Sequence, residues 1–244
     1  MNKEKILLVG ASGFAGHHVL QELSSKNVEV TTLSRKSLPG LPLNTKNYIF
    51  NFTDIDSYNE IPLADHLVVC LGSPLKLWDL VYLKKSDIPK FIALDKDCVI
   101  NLAKAAKKIG IKKISIVSAV GANSQSFNTY LKTKGRVEEE IIAMNFESTN
   151  IFRPAHMCGR IDWEKSKNTY RFDVFIGEYI SILTKPFMIG SLNDFKGVDV
   201  KILAKSIAKN ILIKNTGVQY FTYRNFIIYQ IPIKIFKIIS NFVY

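Results

Sequence analysis

A phenol and an ammonium group stand four residues apart at Tyr130 and Lys134, where the sequence pattern predicts the start of a helix. Side chains four apart in a helix share one face, so the Lys134 ammonium can lie beneath the Tyr130 phenol and favour its ionised form. An unperturbed tyrosine needs its pKa lowered by about three units, roughly 4 kcal/mol, to exchange a proton near neutral pH. The pair therefore predicts a general acid whose pKa is lowered with the help of the lysine.

A hydroxyl group precedes this pair by twelve residues. Residues 114–118 are apolar and β-branched apart from their serines, which predicts a strand ending at Ser118. A serine at that position can hold the oxygen of a carbonyl substrate while Tyr130 donates the proton. Because a Tyr-x-x-x-Lys pair occurs by chance in many helices, this assignment depends on what the rest of the chain binds.

Three glycines spaced three apart follow the apolar run 5–9 and precede a helical pattern. Gly10 permits a sharp exit from the strand, Gly13 lets backbone approach a phosphate, and Gly16 lets the new helix pack closely on the sheet. The pyrophosphate of a dinucleotide binds bare backbone N–H groups at the positive end of a helix. The pattern therefore predicts a dinucleotide site, and a purely structural glycine turn is the alternative.

The end of the second predicted strand, 28–33, indicates which dinucleotide binds. An acidic residue usually stands there when the adenosine ribose of NAD is recognised. This chain has Ser34, Arg35 and Lys36 instead, and a guanidinium beside a hydroxyl suits the 2′-phosphate of NADP(H). We expect NADP(H) to be preferred over NAD(H), and the alternative is a solvated basic loop.

Two further strand ends lie along the expected cofactor path. A third strand is predicted at 48–52, and a fourth at 66–71 runs into Gly72 and Ser73. A missing side chain at Gly72 lets the ribose and phosphates pass over the strand end. An ordinary turn glycine is the alternative at this position.

The stretch 75–94 places Trp78 and other apolar residues between charged ones. It is interpreted either as a lid or partner surface, or as a helix or loop packed on the core. From Asp95 onward the apolar residues recur at helical spacing, and Gly110 provides the C-terminal cap. This segment is expected to be the central crossover helix of the sheet.

Composition limits the remaining possibilities. With 244 residues the chain suits a single dinucleotide-binding domain over 1–244, and its three cysteines have no paired spacing that implies disulfides or a metal site. The net charge of +12 comes from singly scattered lysines, which argues against nucleic-acid binding. No apolar signal region precedes the first strand, and no apolar run reaches the roughly eighteen residues that span a bilayer. We therefore expect a cytoplasmic protein.

The C-terminal part of the chain is less regular. We expect 155–198 to cover the substrate and 214–244 to form a tail. At 233–244 polar residues recur at helical spacing opposite isoleucines, so this segment is expected to cover the protein's own body or a second subunit of a homodimer, in preference to a membrane surface. Pocket-lining or surface roles are both open for Arg160, Asp162, Trp163, Arg171 and Phe172.

The motifs that support a family resemblance are GASGFAG at 10–16, CLGS at 70–73, VSAVGA at 117–122, YLKTK at 130–134 and FRP at 152–154. Over about residues 4–215 the chain resembles the atypical short-chain dehydrogenase/reductases of the Tat-interacting-protein oxidoreductase type and their bacterial relatives. The resemblance implies a doubly wound parallel α/β sheet of Rossmann type that binds NADPH, with Ser118, Tyr130 and Lys134 as the catalytic set. It also places Asn51 and Phe52 near the adenine, and strand-end packing is the alternative for these two residues. With the strand-end analysis, the expected cofactor contacts are Gly10, Ser12, Gly13, Phe14, Gly16, Arg35, Lys36, Asn51, Phe52, Leu71, Gly72, Ser73, Tyr130, Lys134, Pro154 and His156.

These observations favour reversible, NADPH-linked interconversion of a small-molecule carbonyl and its alcohol. Hydride goes from the nicotinamide to the carbonyl carbon, Tyr130 donates the proton, and Ser118 orients the oxygen. Lys134 holds the ribose and, together with the cationic nicotinamide, lowers the pKa of Tyr130. One alternative is a non-catalytic module in which nucleotide occupancy changes the affinity for a protein partner. Another is a nucleotide-sugar epimerase or dehydratase, which normally needs a larger sugar-binding region than this chain offers.

Overall fold

A computed structural model describes residues 3–166 and 172–228 and is organised around a seven-stranded sheet. The strands are β1 (Glu4–Val9), β2 (Val28–Ser34), β3 (Thr45–Ile49), β4 (His66–Val69), β5 (Lys113–Val117), β6 (Ser148–Phe152), β7 (Met157–Cys158), β8 (Val198–Asp199) and β9 (Gly217–Phe221). The seven-stranded sheet has the order β3-β2-β1-β4-β5-β6-β9, every neighbouring pair is parallel, and β7 pairs with β8 in a separate two-stranded sheet. This order confirms the predicted doubly wound α/β fold, in which ligands bind where the order reverses between β1 and β4.

Helices cover both faces of the sheet. The two buried clusters of apolar side chains divide by strand alternation, so Leu7 and Val9 of β1 face one cluster while Ile6 and Leu8 face the other. The helices are α1 (Phe14–Ser24), α2 (Ile88–Ile92), α3 (Cys98–Lys108), α4 (Thr129–Ala143), α5 (Arg160–Ser166), α6 (Phe172–Thr184), α7 (Val200–Ile211) and α8 (Tyr223–Ile228). Helices α3 and α4 pack on the first face, and α1 and α7 pack on the second.

Helix α4 begins at a side-chain cap and is pressed closely against the preceding loop. The Asn128 side chain accepts a hydrogen bond from the backbone N–H of Leu131 at 3.0 Å. At Gly135 an added Cβ would lie 2.2 Å from the backbone nitrogen of Ser124 and 2.3 Å from the carbonyl carbon of Asn123. Only a residue without a side chain fits this contact between helix and loop backbone.

Two predicted elements have boundaries that differ from the structure by three residues or more. The third strand was expected at 48–52 but is Thr45–Ile49, because its pairing with β2 ends opposite Ser34. The crossover helix begins before Asp95, since α2 starts at Ile88 and continues through the π-helical segment Ala93–Asp97 into α3. Pro89 does not end a helix here, because it stands in the first turn, where its missing N–H costs nothing.

The apolar stretch before the crossover helix is anchored but not wholly buried. Leu83 and Phe91 belong to the core, whereas Trp78, Val81 and Tyr82 are exposed. The stretch therefore combines features of both interpretations, a core-packed segment and an exposed apolar surface. The tail helix predicted at 233–244 lies outside the described residues, and within the described ranges no helix is long and apolar enough to cross a bilayer.

Candidate functional site

The glycine turn is a backbone cradle that side chains would fill. Gly10 has φ +91°, and a Cβ there would lie 2.6 Å from the Cys70 carbonyl oxygen. A Cβ at Gly16 would lie 2.1 Å from the Gly10 carbonyl oxygen, and the Gly13 N–H donates to that same oxygen at 2.9 Å. Helix α1 therefore starts directly against the end of β1, with its first-turn N–H groups available to an anion. These residues fit the diphosphate of a dinucleotide.

The residues between the three glycines offer a cofactor their backbone N–H groups more than their side chains. Ser12 is exposed at the turn, whereas the Phe14 ring is buried and lies 6.0 Å from Trp163 and 5.6 Å from His18, centroid to centroid. Phe14 was predicted to contact the cofactor, and in this geometry its N–H at the first turn of α1 is the group that can do so. Its ring instead holds α1 against neighbouring segments.

The end of β2 exposes two basic side chains beside a buried hydroxyl. The Ser34 Oγ lies 2.6 Å from the Lys36 carbonyl oxygen and 2.7 Å from the Asn47 side-chain oxygen, which ties the turn to β3. Arg35 and Lys36 are exposed, and in the described ranges neither side chain has an ion-pair partner. Both cations are therefore available to a phosphate outside the sheet edge.

Asn51 and Phe52 follow β3 on the same edge. The Asn51 side-chain oxygen accepts from the Thr53 N–H at 3.1 Å and from its hydroxyl at 2.8 Å. The Phe52 ring packs against Phe50 with centroids 4.9 Å apart, and its carbonyl accepts from the Tyr58 hydroxyl at 2.9 Å. This environment is strand-end packing, the alternative to adenine contact, although both residues lie beside the β2 end.

Past β4, the chain meets a buried carboxylate that the sequence analysis did not identify. Asp95 is 2% exposed, and its Oδ2 accepts from the Ser73 N–H at 2.8 Å and from the Ser73 hydroxyl at 2.6 Å. Its Oδ1 accepts from the Lys134 ammonium at 2.9 Å. Asp95 thereby joins the loop after β4 to helix α4. The sequence signal that could have identified Asp95 is an acidic residue within an apolar stretch. A carboxylate buried there needs a cation and hydrogen-bond donors as partners.

The Asp95 carboxylate reaches both partners from the π-helical segment Ala93–Asp97. A π segment widens the helix by one residue per turn and is frequent at functional sites. Gly72 lies next to it, and a Cβ at Gly72 would be 3.7 Å from Asp95 Oδ1. A distance of 3.7 Å is an ordinary van der Waals contact, so the structure has room for a side chain at position 72. Gly72 is therefore not required by close packing, and it leaves the end of the strand open.

Tyr130 and Lys134 share one face of α4, as predicted. The Lys134 ammonium lies 6.0 Å from the Tyr130 ring centroid, and the ring packs against Phe91 at 5.9 Å. Burial lowers the pKa of Lys134, but Asp95, Tyr130 and Glu138 together raise it above its ordinary value, so the side chain stays an ammonium.

Lys134 lowers the pKa of Tyr130, as expected, but other groups in this structure outweigh it. Burial, the largest influence, raises the pKa of Tyr130; Lys134 lowers it, and Asp95 raises it again, so the net direction is upward. The reason is that burial of the phenol outweighs the Lys134 charge, and the Asp95 carboxylate acts in the same direction as burial. Tyr130 is therefore a fully protonated phenol at neutral pH.

Ser118 follows β5 directly and is buried, but its hydroxyl is already engaged. It donates to the carboxylate of Glu138, which also accepts from Arg153 Nε at 3.0 Å. The predicted hydrogen bond from Ser118 to a substrate oxygen therefore competes with Glu138. Neither Glu138 nor the role of Arg153 was predicted, although Glu138 follows Lys134 by one further helical turn on the same face.

One narrow space joins the polar groups of the site. Asp95, Ser118 and Lys134 line it together, which brings two of the three predicted catalytic residues to one place, with Tyr130 beside Lys134. Arg35 and Asn51 lie at the ends of β2 and β3, on the far side of the glycine turn. The remaining lining residues of this space are apolar: Val69, Leu71, Val99, Ile116, Val117 and Val137.

Pro154 and His156 follow β6 at the same edge. The Pro154 carbonyl accepts from the Val120 N–H at 3.0 Å, which holds the loops after β5 and β6 together. His156 packs on Gly177 of α6, where a Cβ would lie 3.1 Å from the ring, and within the described part of the chain its buried Nε2 has no hydrogen-bond partner. Burial lowers the pKa of His156; Glu178 opposes this and Arg160 adds to it, so the ring is neutral.

A family model described as NAD(P)H-binding matches residues 10–171. "Protein FMP52, mitochondrial" of Candida glabrata is 30% identical over 65% of this chain and 66% of its own length. Protein HTATIP2 of Rattus norvegicus is 29% identical over 66% of each chain. The match thus spans just under two thirds of these relatives, and the predicted family resemblance is confirmed.

Solved structures with the same fold are more distant in sequence. A chain described as "ElxO with NADP Bound" has a TM-score of 0.63 and 18% identity, over 90% of this chain and 97% of that one. "MoeE5 in complex with UDP-glucuronic acid and NAD" also has a TM-score of 0.63, with 16% identity over 88% of this chain and 75% of that one. These likenesses establish the Rossmann-type fold.

The comparisons overturn the predicted cytoplasmic location. Curated relatives from Candida glabrata, Kluyveromyces lactis and Candida albicans are all named as mitochondrial proteins. The prediction was based on the lack of an apolar signal region and of a membrane-spanning run. Such an absence cannot distinguish the cytoplasm from an organelle, so the prediction was wrong.

Proposed function

Because this chain belongs to the NAD(P)H-binding family, we propose that it is an NADPH-dependent oxidoreductase that interconverts a carbonyl compound and its alcohol. The observation that carries the proposal is the buried Lys134 ammonium, which lies beside the Tyr130 ring. Both residues belong to α4, near the carboxyl ends of the strands, where the glycine turn also lies. A buried cation next to a phenol in a nucleotide-binding cleft is an arrangement for proton transfer.

The chain's own residues supply the proton chemistry. When bound, the nicotinamide cofactor supplies hydride to the carbonyl carbon. Tyr130 donates its phenolic proton to the carbonyl oxygen, and Lys134 stabilises the phenolate that remains until solvent returns a proton. The protonated state of Tyr130 in this structure is the one that reduction requires. Ser118 orients the substrate oxygen once its hydroxyl turns from Glu138.

We propose NADPH as the cofactor because of the basic residues that follow β2. Arg35 and Lys36 are exposed there without an acidic partner in the described ranges, and the buried Ser34 hydroxyl holds their turn in place. A guanidinium and an ammonium favour a 2′-phosphate over two ribose hydroxyls. The solved neighbours include both NADP-bound and NAD-bound chains, so this preference comes from the residues of this chain alone.

A second candidate function is a non-catalytic NADPH-binding module. The observation that favours it is the Ser118 hydroxyl, which donates to Glu138 rather than pointing unengaged toward a substrate. The deciding experiment measures NADPH oxidation by the full-length protein against a panel of aldehydes, ketones and quinones. Sustained turnover supports the oxidoreductase, whereas tight NADPH binding without turnover on any of them supports the binding module.

A further inference from the structure

Arg160 lies against the ring of Phe14, the residue that follows Gly13 of the glycine turn. It is the first residue of α5, and its guanidinium carbon lies 5.5 Å from the centroid of the Phe14 ring. Phe14 is in turn the first residue of α1, directly after Gly13. A guanidinium therefore lies against the side chain of the first residue of this helix, whose first-turn N–H groups carry partial positive charges.

The start of α5 is held in this position from two sides. Trp163 follows Arg160 by three residues, on the same side of a helix, and its ring lies 4.8 Å from His17 and 6.0 Å from Phe14 of α1. On the other side the Glu178 carboxylate of α6 accepts from the backbone N–H groups of Arg160 at 2.6 Å and of Ile161 at 3.0 Å. The direction of the Arg160 side chain toward α1 thus follows from the packing of α5.

We propose that Arg160 binds the diphosphate bridge of the dinucleotide. This inference rests on the proposed function, since it requires a dinucleotide at the glycine turn. A diphosphate carries two negative charges, and a guanidinium can donate two parallel hydrogen bonds to its oxygens. Arg35, at the end of β2, would then serve the 2′-phosphate. The two arginines divide the phosphates of the cofactor between them.

The test compares ligands that contain or lack the bridge. Arg160→Met keeps an apolar stem over Phe14 and deletes the guanidinium. Dissociation constants are measured by calorimetry on the full-length protein for NADPH, NADH, ADP-ribose and adenosine 2′-monophosphate. We expect the variant to bind the first three about tenfold more weakly or worse, because each contains the diphosphate, and to bind adenosine 2′-monophosphate as the wild type does.

A matched control removes a similar charge elsewhere. The Lys185 ammonium also lies over an aromatic ring, 5.8 Å from the Tyr223 centroid, so Lys185→Met should leave all four dissociation constants unchanged. Thermal unfolding of Arg160→Met should match that of the wild type within a few degrees. Because none of these readouts depends on turnover, they do not require a known substrate.

Two other results would overturn the inference. If Arg160→Met binds ADP-ribose with wild-type affinity, or loses affinity for adenosine 2′-monophosphate to the same extent, Arg160 does not bind the bridge. If the wild-type protein binds none of the four ligands, the proposed function fails and this inference fails with it. The first result leaves NADPH binding by the wild type intact, so the two failures are distinguishable.

Discussion

The Lys134 ammonium and the Asp95 carboxylate lie 2.9 Å apart, with side chains that are 7% and 2% exposed. Removing one partner of a buried ion pair leaves the other charge uncompensated, which typically costs about 3–5 kcal/mol. We expect Asp95→Asn to lower the free energy of unfolding by roughly 3 kcal/mol, because Lys134 loses its partner while the shape is kept. Urea unfolding of Asp95→Asn and of wild-type protein measures the difference.

The matched control for this substitution is Asp97→Asn. Asp97 pairs with Lys96 at 2.9 Å, but their side chains are 50% and 26% exposed, so this change should cost less than about 1 kcal/mol. Equal losses for the two variants would contradict a special role for the buried pair.

Tyr130→Phe should separate chemistry from binding. The substitution keeps the ring against Phe91 and deletes the hydroxyl, so folding and NADPH affinity should barely change. A positioned general acid contributes about 10²–10⁴-fold, and we expect kcat on the best carbonyl substrate to fall by that factor. Tyr82→Phe, which alters an exposed tyrosine, is the control and should keep wild-type turnover. A Tyr130→Phe enzyme with wild-type kcat would remove Tyr130 from the mechanism.

Arg35→Ala tests which nucleotide the β2 end recognises. A charge-assisted hydrogen bond contributes about 1.5–3 kcal/mol, so the variant should bind NADPH about ten- to a hundredfold more weakly. NADH lacks the 2′-phosphate, and its affinity should stay nearly constant. Fluorescence titration with both nucleotides makes the comparison, and parallel losses for the two would place Arg35 outside the phosphate site.

The buried His66 should make the fold sensitive to acid. Burial, with a smaller contribution from Lys113, lowers the pKa of His66 from 6.5 to about 3. Between these two pH values His66 is protonated in the unfolded chain and neutral in the folded chain. The contribution of the neutral ring to the free energy of unfolding is therefore complete above pH 6.5 and is lost as the pH falls toward 3. The loss should approach about 1.4 kcal/mol per pH unit.

The corresponding variant is His66→Gln, which has no titratable ring. Its free energy of unfolding, measured by urea titration from pH 7 to pH 4.5, should depend less steeply on pH than that of the wild type. His18 and His156 also have lowered pKa values and are present in both proteins, so their contributions cancel in the comparison. Parallel curves for the two proteins would show that His66 does not control the acid response.

The sequence predicted the fold well because the determining signals are local. The glycine spacing at 10–16 and the apolar strand runs operate within a few residues, and the sheet order, the family match and the fold neighbours agree with them. The common face of Tyr130 and Lys134 was predictable for the same reason, since helical geometry alone places them together.

The electrostatics of the site were not predictable in this way. Asp95 precedes its partner Lys134 by 39 positions, and Ser118 precedes Glu138 by 20, so neither contact follows from local periodicity. The π-helical segment also shifts Asp95 relative to an ordinary helix. The direction of the Tyr130 pKa was missed because it depends first on the burial of the phenol and then on the Asp95 carboxylate, and neither follows from the spacing of Tyr130 and Lys134.

The close contact at Gly135 sets the position of the proposed acid relative to the sheet. An added Cβ would meet the backbone of Asn123 and Ser124 at 2.2–2.3 Å, and backbone atoms cannot swing aside as a flexible side chain can. Any side chain at this position would push α4 outward and carry the Tyr130 phenol with it. The position of the Tyr130 phenol relative to the strand ends therefore depends on a contact between two stretches of backbone. Substitutions of the surrounding side chains leave that contact unchanged.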